Sequence, residues 1–149
     1  MIAPMTMRES AVRGVKVVEL RHVCDAVRGD LAVIEFAEAL PFQPVRCFWT
    51  YAIPGSQVRG EHAHRVCSQF LVSAHGTCRL RMDDGTRQEE IVLDRPEIGV
   101  QVPPMVWAEA SGHSVDSVLL VLASHGYDPG DYIRDYHEFL SIIRDTMKP

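Results

Sequence analysis

The chain has 149 residues, 46% of them hydrophobic and 23% charged, with a formal net charge of -5. That length suits one domain with a sizeable core, and an acidic balance without any Lys/Arg run argues against a nucleic-acid footprint. No apolar stretch approaches the ~18 residues of a membrane span, the start MIAPMTMRES lacks a secretory apolar core, and Cys24, Cys47, Cys67 and Cys78 form no CxxC pair, so a cytoplasmic protein with free thiols is expected.

Residues 1–14 show no periodicity and read as a flexible N-terminus, leaving residues 15–149 as one domain. Short β-type runs then alternate with turn signals: VKVVEL, LAVIEF, VRCFWTYAI, CSQFLVSA, TCRLRM, EEIVL, GVQVP and SVLLVLAS. Many short strands at close spacing, broken by Gly, Pro and Asp, indicate an all-β sandwich or barrel. TCRLRMDDGTRQEEIVL is the clearest hairpin, with Asp84-Gly85 expected to supply the positive-φ residues of a tight turn. Beyond Ser124 the texture changes. Tyr132, Ile133, Tyr136, Phe139, Leu140 and Ile143 recur at helical spacing, which predicts a C-terminal helix starting near Asp131, with Asp131 and Arg134 pairing on its surface.

The most informative stretch is RGEHAHRVCSQFLVSAHG, residues 59–76. Side chains alternate along a strand, so His62 and His64 face one way, Glu61 and Ala63 the other. Gly60 and Ala63 leave room for close packing behind them. Two imidazoles on the inner wall of a barrel could bind a divalent metal, or could move protons, because a histidine titrates near ~6.5. The plain alternative is a hydrogen-bonded pair on a solvated face. His22, His75, His113, His125 and His137 fall in turns or on the last helix and read as surface residues.

HAHRVCSQFLVSAHG resembles the first motif of the cupin superfamily, with His62, His64 and Gly76 at matching positions. A metal-binding cupin usually has Glu where this chain has Gln69. GVQVPPMVWAEA resembles the second motif through Gly99 and Pro103, but Met105 replaces the turn glycine and Ala108 occupies the place of the last histidine ligand. A tight metal site wants about three protein ligands. Two histidines and a neutral amide are a weak set, so no metal and no cofactor are expected.

A narrower resemblance spans residues 15–144. RGEHAHRVCSQFLV, RMDDG, LDRPEIGVQVPPMVW and LVLASHGYDPGDYIRDY resemble the nucleotide-sugar 3,4-ketoisomerases, which are cupins similar in fold to the deoxysugar 3,5-epimerases. The resemblance implies a single-domain cupin jelly-roll barrel with a short C-terminal helix, acting without metal on dTDP-4-keto-6-deoxy-D-glucose for the synthesis of deoxy and amino sugars of antibiotics or surface polysaccharides. It also implies a homodimer with exchanged N-terminal strands. Some members carry histidine where this chain has Ala108, which tilts the expectation toward the gluco rather than the galacto 3-keto product.

Moving a ketone from C4 to C3 needs a base near neutral pKa and a donor at the developing enolate. His64 is the first choice for that base and His62 for the second proton carrier, though sequence alone leaves their order open. The resemblance favours Tyr51 as proton donor, provided its strand faces inward through Cys47, Trp49 and Tyr51 rather than through Arg46, Phe48 and Thr50. Arg59 suits a pyrophosphate because guanidinium forks match phosphate oxygens, with Arg46 a second candidate. Gln69 is expected to face the pocket, and Trp107 either stacks on thymine or is buried in the core. The rivals are a metal-dependent cupin built on His62 and His64, a sugar sensor, and a 3,5-epimerase, whose chemistry usually relies on a His–Asp dyad.

Overall fold

The computed structural model describes residues 1–149. In chain order the elements are β1 (Thr6–Glu9), β2 (Lys16–Glu19), β3 (Arg21–Val23), β4 (Leu31–Val33), α1 (Phe36–Ala39), β5 (Arg46–Tyr51) and β6 (Arg59–His64). There follow β7 (Gln69–His75), β8 (Cys78–Asp83), β9 (Gln88–Leu93), β10 (Ile98–Val102), β11 (Trp107–Ser111) and β12 (Val118–Ala123). A 3-10 turn at Pro129–Asp131 leads into β13 (Tyr132–Ile133) and α2 (Tyr136–Thr146). Two antiparallel sheets carry the fold, one ordered β1-β2-β10-β7-β12-β5 and the other β13-β6-β11-β8-β9. Their inner faces meet over a core that includes Val17, Leu71, Leu80, Met82, Val100, Leu119 and Val121. The expected all-β jelly-roll barrel is the observed fold.

Pattern explains each strand's place. β8 alternates buried Cys78, Leu80 and Met82 with exposed Arg79 and Arg81, as a strand with one wet face must. The unbroken apolar run of β12 is covered on both sides. Leu119 and Val121 enter the central core, while Leu122 joins Phe70, Val72, Val18 and Leu40 in a second core under α1. A third core lies beneath α2, where Phe139 and Ile143 pack on Ala63, Trp107 and Ile133.

Three expectations are corrected here. Residues 1–14 are not a loose end: Thr6–Glu9 pairs with Glu19–Lys16, and Val12 is buried. The strand escapes periodicity because it is a sheet edge, exposed at all four positions. In the β8–β9 hairpin only Gly85 has positive φ (90°), while Asp84 turns the chain by accepting from the backbone N–H groups of Thr86 and Arg87, both at 2.8 Å. The C-terminal helix begins at Tyr136, capped by Asp135, whose carboxylate accepts from Glu138 N–H at 2.8 Å. Asp131 closes the 3-10 turn and Tyr132 opens β13, so both precede the helix and belong to the barrel.

β6 carries a bulge. Ala108 of β11 pairs with His62, but Glu109 pairs with Gly60, so Glu61 is skipped and takes φ 54° beside Gly60 at φ 87°. A β-carbon at Gly60 would lie 2.7 Å from the Ala108 carbonyl oxygen. Gly60→Ala should therefore cost about 1–3 kcal/mol from backbone strain, with the clash added, read as a lower urea midpoint; an unchanged midpoint would show that the bulge is not constrained there.

Candidate active site

A cavity of about 380 Å³ lies between the two sheets. β6 contributes Arg59 and His62, β5 contributes Phe48 and Thr50, β7 contributes Gln69, and β11 contributes Ala108. Tyr132 and Arg134 close it from the C-terminal segment, and Leu71, Leu80, Leu119 and Val121 supply apolar floor. This mix of apolar lining and a few convergent polar groups is that of a small-molecule site.

The Gly60 bulge turns His62 onto the cavity wall, where its Nδ1 lies 2.9 Å from the Gly60 carbonyl oxygen. His64 sits deeper, with only 6% of its surface exposed. Its ring is 4.9 Å from that of His62 and 4.5 Å from that of Tyr132, and Tyr132 is in turn 4.8 Å from His62. His64 Nδ1 is 2.8 Å from Asp131 Oδ2. With the proton on Nδ1, the imidazole donates to the carboxylate and keeps the Nε2 lone pair free. Nε2 is buried and has no partner in the protein.

Asp131 is fixed from two directions. Its Oδ1 accepts from Val66 N–H at 2.7 Å, and its backbone carbonyl accepts from Arg65 N–H at 2.9 Å. Burial pushes its carboxyl up, but the Val66 N–H and the His64 contact more than offset this and leave it below the usual aspartate value. Burial holds His64 below its ordinary 6.5 even though Asp131 pulls the other way. His62 is also depressed, first by burial, with the Gly60 carbonyl opposing. Both rings are neutral at pH 7, the state a base requires.

The structure sorts the sequence candidates. His62, Arg59 and Gln69 line the cavity, and His64 backs it. Arg46 points inward on the same face of β5 as Phe48 and Thr50, its guanidinium carbon 5.2 Å from the Phe48 ring centre. Tyr51 is displaced from the site: the strand faces inward through the other parity, leaving Tyr51 65% exposed on the outer face beside Trp49. Trp107 is also displaced. Ala108 and Ala110 take the inner face of β11, so Trp107 packs under α2 against Tyr136 and Phe139, and its indole donates to Glu109 Oε1 at 3.0 Å. His113 is buried rather than on the surface, its Nε2 3.2 Å from the Ala110 carbonyl oxygen.

Three site residues escaped the sequence reading. Asp131, assigned to a surface pair with Arg134, is the partner of His64. Tyr132 lies against both histidines, and Arg134 stacks on its ring at 4.3 Å. The sequence carried no clear signal for them: Pro129 suits the first turn of a helix, and Pro129–Asp131 forms a 3-10 turn followed by the short strand Tyr132–Ile133.

The donor set bears on metal binding. Of the positions the resemblance equates with cupin ligands, His62, Gln69 and Ala108 line one cavity and His64 backs it, but Ala108 offers a methyl group and Gln69 a neutral amide. His64, Cys67 and Asp131 form another cluster, with ligand atoms within 4.8 Å of one another, yet two of its donors already share a hydrogen bond. Neither set presents three free donors to one point.

Residues 13–144 match the family model described as FdtA: WxcM-like, C-terminal. The chain belongs to this family. Among curated proteins it is similar to a TDP-4-oxo-6-deoxy-alpha-D-glucose-3,4-oxoisomerase from Aneurinibacillus thermoaerophilus, 41% identical over 86% of this chain and 91% of the relative. Among solved structures it is similar to a 3,4-ketoisomerase from Helicobacter canadensis, 35% identical with a TM-score of 0.83, covering 89% of this chain and 98% of that one. It also resembles a variant of the 3,4-ketoisomerase QdtA from Thermoanaerobacterium thermosaccharolyticum, in complex with TDP-4-keto-6-deoxyglucose. That match is 28% identical with a TM-score of 0.86 and covers 93% and 99% of the two chains.

The electrostatics of the family member's dyad can be read directly. Carbon-13 or nitrogen-15 NMR of the imidazoles should give His64 a midpoint below 6.5. Asp131→Asn removes the influence that raises it and should move that midpoint lower still. Because both histidines have folded pKa values below the unfolded one, their neutral forms contribute stability fully above pH 6.5, and it is lost as pH falls through the folded values. A His64 midpoint above 6.5 would contradict the buried, neutral dyad.

Proposed function

We infer that this chain is a sugar-nucleotide 3,4-ketoisomerase that moves the keto group of a TDP-linked 4-keto-6-deoxy-D-glucose from C4 to C3. The observation that carries the chemistry is His64: Nδ1 held by Asp131 and Nε2 buried without a partner, beside His62 and a cavity of sugar size. The names of the relatives supply the substrate class.

The reaction is redox-neutral overall: C3 is oxidised and C4 reduced within one molecule. His64 Nε2 takes the proton from C3, which the adjacent ketone acidifies. The C3–H electron pair becomes a C3–C4 double bond, and O4 takes up the carbonyl electrons and a proton to give an enediol. Collapse of that enediol delivers a proton to C4 while O3 gives one up and becomes the ketone. Asp131 stabilises the imidazolium formed in the first step and holds the tautomer that leaves Nε2 free. His62, on the cavity wall, exchanges the protons of O3 and O4. Neither a metal nor a redox cofactor is needed for this ledger.

Arg59 and Arg134 both line the cavity, on β6 and just after β13, and two guanidinium groups suit a diphosphate. Gln69 is placed to bond a sugar hydroxyl, and Arg46 adds positive potential near His64. Tyr132 takes over from Tyr51 as the tyrosine beside the histidines, where it fixes their rings. The N-terminal strand supports a homodimer with exchanged strands: within its sheet β1 pairs only with the edge of β2, a pairing that a partner's strand could make equally well. Four free cysteines fit a reducing cytoplasm, and no helix is long and apolar enough to cross a membrane. The 3-keto product would feed deoxy- and amino-sugar assembly.

A second reading has one specific observation in its favour. The His64–Asp131 pair is the dyad expected of a 3,5-epimerase. Chelator-treated protein incubated with TDP-4-keto-6-deoxyglucose in D2O separates the two by proton NMR. A 3-keto product is the expected result, whereas exchange at C3 and C5 with the ketone still at C4 would make the chain an epimerase. In the same assay His64→Asn should lower kcat by at least about a hundredfold with nucleotide affinity within a few fold. Arg59→Ala should instead weaken TDP binding about tenfold or more, and unchanged affinity would remove Arg59 from the phosphate site.

A further inference from the structure

The wall opposite the histidines carries an unexplained polar group. Thr50 lies on β5, in the sheet that faces β6 across the cavity, and its side chain lines that cavity. Its Oγ1 is shut off from solvent and has no hydrogen-bond partner in the protein. Two other buried side-chain atoms beside the cavity share this condition, His64 Nε2 and Arg46 Nε, the latter two pleats along the same face of β5. His113 Nδ1 and Ser117 Oγ are unpartnered as well, but both sit in the loop between β11 and β12 and do not line the cavity.

Packing alone does not ask for a hydroxyl at position 50. Phe48, Leu119 and Val121 are its cavity neighbours on β5 and β12, and valine has the same shape as threonine. A buried hydroxyl without a partner is destabilising. Retaining it makes sense where a ligand completes the bond.

We propose that Thr50 is a catalytic residue whose hydroxyl donates to the sugar oxygen on which negative charge develops during enolisation. The proposal rests on the ketoisomerase reading above. A hexose between the sheets has His64 and His62 on one side and Thr50 on the other. As the C3 proton passes to His64 Nε2, electron density moves toward O4, and a turn about the Cα–Cβ bond of Thr50, whose side chain lines the cavity, brings the hydroxyl from its closed-off position onto that oxygen. Thr50 keeps its proton throughout, because an aliphatic hydroxyl is far too weak an acid to protonate carbon. The bond strengthens as charge grows on the oxygen, so it acts mainly on the transition state.

The test compares wild-type protein, Thr50→Val and Thr50→Ser with TDP-4-keto-6-deoxyglucose as substrate, measuring kcat, KM and melting temperature. Thr50→Val should lower kcat by about 10- to 100-fold, change KM by no more than about threefold, and melt at or above the wild-type temperature because an unpaired hydroxyl has gone. Thr50→Ser should keep kcat within about fivefold, since it retains the donor. Undiminished kcat in Thr50→Val would overturn the proposal. A kcat loss accompanied by a melting temperature several degrees lower would overturn it too, by assigning Thr50 to packing. Equal loss in Thr50→Ser would exclude the hydroxyl as the active feature. Absence of turnover in the wild-type protein would instead remove the ketoisomerase reading, and this inference with it.

Discussion

The hydrogen bond from His64 to Asp131 joins residues 67 positions apart and ties the end of the chain to the middle of the barrel. Closing so long a loop is entropically costly, and several contacts share that cost. β13 pairs with β6 at Tyr132–His64 and Ile133–Ala63. Ile133, Phe139 and Ile143 then seal the outer face of β6 and β11 against Ala63 and Trp107. The apolar core under α2 therefore does more than cover a sheet. It sets the height at which Asp131 meets the imidazole, and the Val66 and Arg65 N–H groups fix its remaining freedom.

The same segment places an aromatic ring and a cation beside the histidines. Tyr132 follows Asp131 directly, so the backbone that holds the carboxylate behind His64 also presents the tyrosine to both rings. Arg134, two residues on, lies on the same side of that short strand and stacks over Tyr132. One short stretch thus supplies three functions through strand alternation and the turn that precedes it. A continuous helix through Asp131 and Tyr132 would have pointed them about 100° apart and broken the arrangement.

Much of this was legible in sequence because it depends on local pattern. Alternation in TCRLRM and the doubly apolar run SVLLVLAS reveal strands whatever their partners. The paired histidines share a face because parity is a property of the strand alone. The failures have a common cause. Tyr51 and Trp107 belong to strands in which both parities carry apolar side chains, so the inward face is decided by what lies opposite: α2 for Trp107, the cavity for Thr50. Asp131 was misplaced because helical spacing continues formally from Tyr132 through Ile143, and only tertiary pairing with β6 decides that the first part is strand. Edge strand β1 has no pattern to read, since all its residues face water.

His62, Gln69 and Ala108 line one cavity with His64 behind it. Each histidine has its Nδ1 within hydrogen-bonding distance of an oxygen, the Gly60 carbonyl for His62 and Asp131 for His64. A metal could still use the remaining Nε2 atoms, but it would find a methyl group and an amide for its other ligands. For proton transfer the same arrangement is an asset. Burial keeps both rings neutral, and Asp131 partly compensates the burial of His64, holding its basicity nearer the working pH than the cavity alone would. The methyl of Ala108, paired directly with His62, leaves open volume where a ligand histidine would stand. In the proposed reaction the two sheets would divide the work: β6 would hold the proton carriers, while Phe48 of β5 and Leu119 and Val121 of β12 would keep water from the enediol.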